Sequence, residues 1–203
     1  NFDATTGEVK MSYVAKIGDT EIHLADAFAA TDKTGDTVIE LLDDINMTGK
    51  SWTPVSVDGY HGQGVITLNG NGKTITGLSA PLFAGGFAGK SGIVIKDLTI
   101  AGADINDTTN DQESGIYQLR GFHDSIELDN CHLKNSKIVS TGGARVGGLI
   151  GWTSGYNKPN DGPVDTKVTL TNCSVENVTI EAKLVGGLIG HAGANPATYH
   201  TIT

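Results

Sequence analysis

The chain has 203 residues, a formal net charge of −9, a pI near 4.9, 28 glycines and only 6% aromatic residues. With 14 Lys and Arg spread along its whole length, it excludes a nucleic-acid surface and a basic patch for anionic membranes, both of which draw on clustered cations. No apolar run approaches the roughly 18 residues of a membrane span, and the length suits one domain, 1–203, with a substantial core.

Abundant glycine with few aromatics favours a turn-rich β architecture. The opening Asn1-Phe2-Asp3-Ala4-Thr5 is not a signal peptide, so any such signal has been removed or lies outside this stretch. Residues 8–17 alternate well enough for a strand, and Gly18-Asp19 marks a hairpin-like turn. Leu24, Ala27 and Phe28 then fall at helical spacing, which predicts a short helix over 23–31 ended by Gly35. Its apolar stripe would close the first layer of whatever follows, so residues 1–35 read as a cap.

From Asp36 onward the apolar residues come two apart. Residues 36–47 read as a first strand and its bend, with Ser51-Trp52-Thr53-Pro54-Val55 leaving that layer. A second layer, 65–78, bends at Asn-Gly, and Pro81-Leu82-Phe83 carries the chain round. A third, 92–105, holds Lys96-Asp97 at its corner. Residues 106–113 lack period and read as a projecting loop, as do residues 152–165.

The later layers are an internal repeat. Ser125-Ile126-Glu127-Leu128-Asp129-Asn130-Cys131-His132-Leu133 leads to Val146-Gly147-Gly148-Leu149-Ile150-Gly151, and Val168-Thr169-Leu170-Thr171-Asn172-Cys173-Ser174-Val175 leads to Val185-Gly186-Gly187-Leu188-Ile189-Gly190. The Asn-Cys pairs lie 42 residues apart and the Gly-Gly-Leu-Ile-Gly runs 39, so the units are equivalent but their loops differ in length. Each unit is two short strands joined at a polar bend, and neither can bury its Ile, Leu and Val alone. Stacking like on like about 4.8 Å apart solves that, and the predicted fold is all-β, a right-handed parallel β-helix with a short N-terminal capping helix. The glycines fit close backbone approach rather than phosphate binding, since neither G-x-G-x-x-G nor a following Lys-Ser/Thr is present.

Cys131 and Cys173 occupy the same place in consecutive units, as inward-pointing free thiols or, alternatively, a disulfide. Zinc has no Cys-x-x-Cys pair or His cluster to hold it. Asp43, Asp44 and Asp58 form the one tight acidic grouping, and read as solvated turn carboxylates before they read as an acid/base pair. Leu149 and Leu188 both read as core. The sequence points to no catalytic residue, metal ligand or cofactor. For ligand binding, the candidates are Trp152, Tyr156, Asn157 and Lys158, where two aromatics interrupt an aromatic-poor chain beside polar groups that could orient a sugar or a peptide. The competing reading is that Trp152 packs over the side of the stack and the loop is decoration.

Taken in order, Trp52-Thr53-Pro54-Val55, Ile66-Thr67-Leu68-Asn69-Gly70-Asn71-Gly72-Lys73-Thr74-Ile75-Thr76-Gly77-Leu78, Pro81-Leu82-Phe83, Ile95-Lys96-Asp97-Leu98-Thr99-Ile100 and the two Gly-Gly-Leu-Ile-Gly runs resemble bacterial surface proteins with GLUG-type repeats. Val14-Ala15-Lys16-Ile17-Gly18-Asp19-Thr20 with Leu24-Ala25-Asp26-Ala27-Phe28 resembles the cap that opens such modules. The resemblance implies a pectin-lyase-like parallel β-helix in an extracellular or cell-wall, adhesin-like module, part of a longer surface protein. Its partner would be a host or environmental glycan or protein, with no nucleic acid and no membrane insertion. Pectinolytic relatives carry calcium-binding Asp clusters with a catalytic Arg, or paired Asp with Gly-His-Gly. Arg120 and Arg145 sit in no such context here, so a polysaccharide lyase or hydrolase is the alternative rather than the main expectation. Ice binding, raised by Thr74-Ile75-Thr76, Thr169-Leu170-Thr171 and Thr201-Ile202-Thr203, lacks the regular array a lattice requires.

Overall fold

The structure, a computed structural model, describes residues 15–17, 20–24, 27, 35–56, 64–84, 91–107, 117, 120–122, 125–142, 145–154, 156–158, 162–164, 166–193 and 200–202. Strand dominates them. In chain order the elements are β1 (Ala15–Ile17), β2 (Thr20–Ile22), β3 (Thr37–Leu41), β4 (Ile45–Asn46), β5 (Val55–Ser56), β6 (Gly64–Thr76) and β7 (Phe83–Ala84). There follow β8 (Ser91–Ala101), β9 (Asp104–Asp107), β10 (Arg120–Phe122), β11 (Ser125–Ser140), β12 (Val146–Gly147), β13 (Ile150–Ser154) and β14 (Tyr156–Lys158). The last are β15 (Gly162–Val164), β16 (Thr166–Thr171), β17 (Ser174–Glu181), β18 (Val185–Gly186), β19 (Ile189–Gly193) and β20 (His200–Ile202).

The largest sheet runs β2-β1-β3-β6-β8-β11-β16-β20, with β4 joined to β6 and both β9 and β17 joined to β11. From β3 onward its pairs are parallel. Like residues stand on like: Ile39, Leu68, Ile95, Leu128 and Leu170 share one row across five strands, and Ile75, Ile100, Leu133 and Val175 share another. Because side chains alternate across a strand, this register puts every member of a row on the same face, and the rows interlock as a core. All but the last member of each row are buried.

The bends are built by asparagine and its relatives in the left-handed region. Asp97, Asn130 and Asn172 have φ of 50°, 54° and 52°, one above the other at the corner that the polar couples of the sequence mark. A second corner stacks Gly77, Gly102, Asn135 and Asn177. Short amide side chains tolerate this backbone and also tie the layers: Asn130 Nδ2 donates to Asp97 Oδ1 at 2.8 Å, and Asn177 Nδ2 to Asn135 Oδ1 at 2.8 Å.

Smaller parallel sheets take up the remaining turns of the repeat: β10-β13-β19, β12-β18 and β5-β7. In β12-β18 the two Gly-Gly-Leu-Ile runs lie in register, Val146 on Val185 and Gly147 on Gly186. The Gly148 amide donates to the Gly187 carbonyl at 2.9 Å. A Cβ on Gly148 would come within 2.5 Å of that carbonyl oxygen and 2.7 Å of Val175, so close approach, as expected, is what the glycine permits.

Two expectations change and a third is seen only in part. The main sheet is mixed, because β1 runs antiparallel to both β2 and β3. Its Ile17 faces Thr20 as a hairpin requires, and Lys16 pairs with Glu40 of β3 at 2.7 Å. Of the predicted helix over 23–31, Leu24 and Ala27 are helical and buried, with the Ala27 amide donating to the His23 carbonyl at 2.8 Å. His23 is described and is not helical, while residues 25, 26 and 28–31 and the strand residues 8–14 lie outside the described residues. Leu188 is 36% exposed rather than core, for a reason taken up in the Discussion.

Candidate functional site

Trp152 does not sit in a loop. It is the middle residue of β13, half-buried, between the buried Gly151 and Thr153, with Arg120 and His191 as its register partners on β10 and β19. The Arg145 guanidinium lies over its ring, 5.9 Å from the centroid, an arrangement worth about 0.5–1 kcal/mol at a partly exposed site. A half-buried indole under a cation is both packed and presented, so the two sequence readings of Trp152 are not exclusive.

The predicted loop 152–165 is instead a strand end followed by a β-hairpin. β14 and β15 pair antiparallel, Tyr156 with Val164, Asn157 with Pro163 and Lys158 with Gly162. Two prolines and no alternation disguised it, yet a two-stranded ribbon has a free edge on which Pro163 needs no amide. The structure thus carries the backbone of Tyr156, Asn157 and Lys158 on one arm of a hairpin that begins just beyond Trp152. Their side chains lie outside what is described. The repeat offset of 39 residues could have flagged His191, since it carries Trp152 onto that position.

On the outer face of the main sheet a polar chain crosses three layers. Asn130 holds Asp97 and, at 3.0 Å, His132 Nε2; His132 Nδ1 meets Ser174 Oγ at 2.9 Å; Ser174 donates to Glu176 Oε1 at 2.7 Å. That hydrogen bond, followed by the nearby Lys134 ammonium, holds the Glu176 carboxyl below its usual range. Ser, His and Glu are brought together here, but Ser174 stands in the middle and gives its one proton to Glu176. A nucleophile-activating relay needs the imidazole in that place. The arrangement is a surface ladder of alternating donors and acceptors.

The acids singled out in the sequence are engaged with backbone. Asp43 Oδ1 accepts from the Asp44 amide at 2.8 Å, and Asp44 Oδ1 from the Thr74 amide of the next layer at 2.7 Å. Asp58 lies outside the described residues. Among the described residues no three of His, Cys, Asp and Glu converge, and no helix is long and apolar enough to cross a membrane.

Cys131 and Cys173 are both free thiols. Cys131 is fully buried beside Tyr117, whose phenol is pushed well up, first by burial and then by the neighbouring Cys131. Cys173 is half-buried on the layer above.

Comparison with known proteins returns no match: no family model, no curated protein and no solved structure matches the chain.

Proposed function

We propose that this chain is a right-handed parallel β-helix of the pectin-lyase-like kind, a GLUG-type repeat module that binds a ligand or spaces other domains at a bacterial surface without catalysis. What carries the reading is the in-register stacking of parallel strands, row on row, with left-handed Asp and Asn at one corner of three successive layers. A short closed repeat with two bends per layer is a geometry in which such rows persist. The extracellular location rests on the likeness of the sequence motifs to surface proteins.

The surface favoured for ligand is Trp152 with Arg145 above its ring and the hairpin of Tyr156, Asn157 and Lys158 beyond. An indole face with a guanidinium and amide-bearing neighbours suits a glycan or a peptide carrying acidic groups. The test is a glycan and host-protein array run with the parent and with a Trp152→Ala/Tyr156→Ala double variant shown by circular dichroism to be folded. Loss of the hit in the variant supports the site. A hit that survives removes it, and turnover of an acidic polysaccharide, with or without calcium, would replace the binding reading with the enzymatic one.

A further inference from the structure

Three of the four exposed large apolar side chains among the described residues, Leu184, Val185 and Leu188, stand together on the second Val-Gly-Gly-Leu-Ile turn. The strands leading to it are open as well: Leu170, Val175 and Ile180 are half-buried where their register partners Leu128, Leu133 and Ile138 are fully buried. One strand of cover is present. β20 lies parallel on β16 with Ile202 in register with Val168, and Val168 is buried. The stacking of layers therefore continues past the second copy and, among the described residues, stops after that strand.

Backbone polarity at the turn selects what fits it. The amides of Val146, Gly148 and Leu149 in the first copy donate to the carbonyls of Leu184, Gly187 and Leu188 in the second, at 2.9, 2.9 and 3.0 Å. The repeat offset of 39 residues carries two of these donors onto the amides of Gly187 and Leu188, which meet no acceptor among the described residues. The turn keeps its shape without one: a Cβ would run into the Ile150 carbonyl at Gly147 and into the Ile189 carbonyl at Gly186, the same tight bend twice. Gly187 has open space where Gly148 has the next layer. A preformed row of donors beside an apolar cluster takes a segment that brings carbonyls and apolar side chains. A second copy docked end to end brings the same two amides, donor toward donor. Charge narrows the occupant further. Lys134 and Lys137 of the first copy lie 3.8 Å from Glu176 and Glu181 of the second, whose side chains remain 57% and 60% exposed, so lysines on those rows of a cover are complementary.

We propose that the open face of β17, β18 and the Gly187-Leu188 turn is a docking surface for one further layer, a polypeptide segment with a lysine-bearing strand followed by a Val-Gly-Gly-Leu-Ile run. It adds in parallel, and its carbonyls take the Gly187 and Leu188 amides as Gly187 and Leu188 take those of Gly148 and Leu149. Nothing in this docking depends on Trp152 or on where the protein resides, so it stands or falls apart from the ligand surface described above.

The probe is a synthetic peptide with the sequence of this chain from His132 to Gly151, which carries Lys134, Lys137 and the first Val-Gly-Gly-Leu-Ile run. It begins at the position equivalent to Ser174, beyond the strand that β20 already covers. Amide hydrogen exchange of the full chain is followed by NMR with and without the peptide. The expected result is exchange at Gly187 and Leu188 slowed at least tenfold, with Gly148 and Leu149 unchanged. Gly187→Ala sets a methyl against the incoming carbonyl, and Leu188→Asp sets a charge in the apolar cluster. Each variant, shown by circular dichroism to be folded, should bind the peptide at least tenfold more weakly than the parent. The proposal is overturned if the peptide leaves both amides unprotected, or if both variants bind it as the parent does. Faster exchange at Gly148 and Leu149 also overturns it, since the peptide then displaces the second copy instead of covering it. Protection that rises with protein concentration in the absence of peptide gives the face to a second copy and overturns it too. The exchange pattern of the parent needs no variant, so a substitution that unfolds the chain leaves the test standing.

Discussion

Val146–Ile150 and Val185–Ile189 are the same five residues, Val-Gly-Gly-Leu-Ile, in the same backbone register, yet they live in different solvents. Val146, Leu149 and Ile150 are fully buried, whereas Val185 and Leu188 are 52% and 36% exposed. The second copy is the cover of the first: the amides of Gly148 and Leu149 donate to the carbonyls of Gly187 and Leu188. Only β20, over β16, lies beyond the second copy's layer among the described residues. Burial in a stacked architecture therefore belongs to the layer above as much as to the residue, and each substitution has a different cost in the two copies.

The largest contrast is a charge. Leu149→Asp would strand an unpaired carboxylate in the core and should cost at least ~4 kcal/mol or abolish folding. Leu188→Asp, with water at hand, should cost no more than about 1 kcal/mol. Urea melts of the two variants measure this. Equal losses would mean that the second copy is covered in solution by something the isolated layers do not reveal.

Next in size is a methyl group. Gly148→Ala must push against the Gly187 carbonyl and Val175, and should lose about 1–3 kcal/mol. Gly187→Ala meets nothing within 4 Å, so it should shift stability by less than about 1 kcal/mol, with stiffening of the unfolded chain favouring a gain. At the corner, Asn135→Ala forces a left-handed backbone on alanine and deprives Asn177 of its acceptor. Its cost should be about 1–2 kcal/mol, recovered in part by Asn135→Gly. Asn177→Ala, which supports no layer above it among the described residues, should cost less. If it costs more, the corner ladder is held from the outer layer inward and the comparison inverts.

How far the fold was legible follows from these residues. Alternation of Ile, Leu and Val gives strand faces directly, and the Asn-Cys repeat gives register, because equal spacing puts equal residues abreast. Exposure of Leu188 was hidden, since its sequence is that of the buried copy and only the lack of a covering strand among the described residues distinguishes it. The hairpin after Trp152 was hidden because a two-stranded ribbon with no core has no alternation to display. Antiparallel entry of β1 was visible only as a hairpin signal at Gly18-Asp19, with nothing to say that its free side would meet β3. Among the candidate binding residues the sequence could find Trp152, but Arg145 reaches the ring through space, and no spacing rule links positions 145 and 152.

The smallest effect sharpens the comparison at one atom pair. Cys131 and Cys173 are the same residue in two layers, and their protons are held differently. Cys131 is pushed up, first by its hydrogen bond with Cys173 and then by burial, while Cys173 is pulled down to about 7, first by that same hydrogen bond. Iodoacetamide should therefore label Cys173 with a midpoint near pH 7 and spare Cys131 in the folded chain. Cys131→Ala removes the donor and should move the midpoint up toward the ordinary value of about 8.5. The stability linkage has a definite sign. A folded pKa below the unfolded one gives a contribution that is complete above about pH 8.5 and is lost as pH falls through the folded value. Cys131, being raised, contributes the reverse: its part is complete below about pH 8.5 and is lost as pH rises beyond it. Between the two limits only Cys173 titrates, so the stability margin of the parent over Cys173→Ser should widen as pH rises from the folded pKa of Cys173 to its unfolded one. A margin that narrows over that interval would assign the low-pKa thiol to the buried layer and place the asymmetry between the copies the other way round.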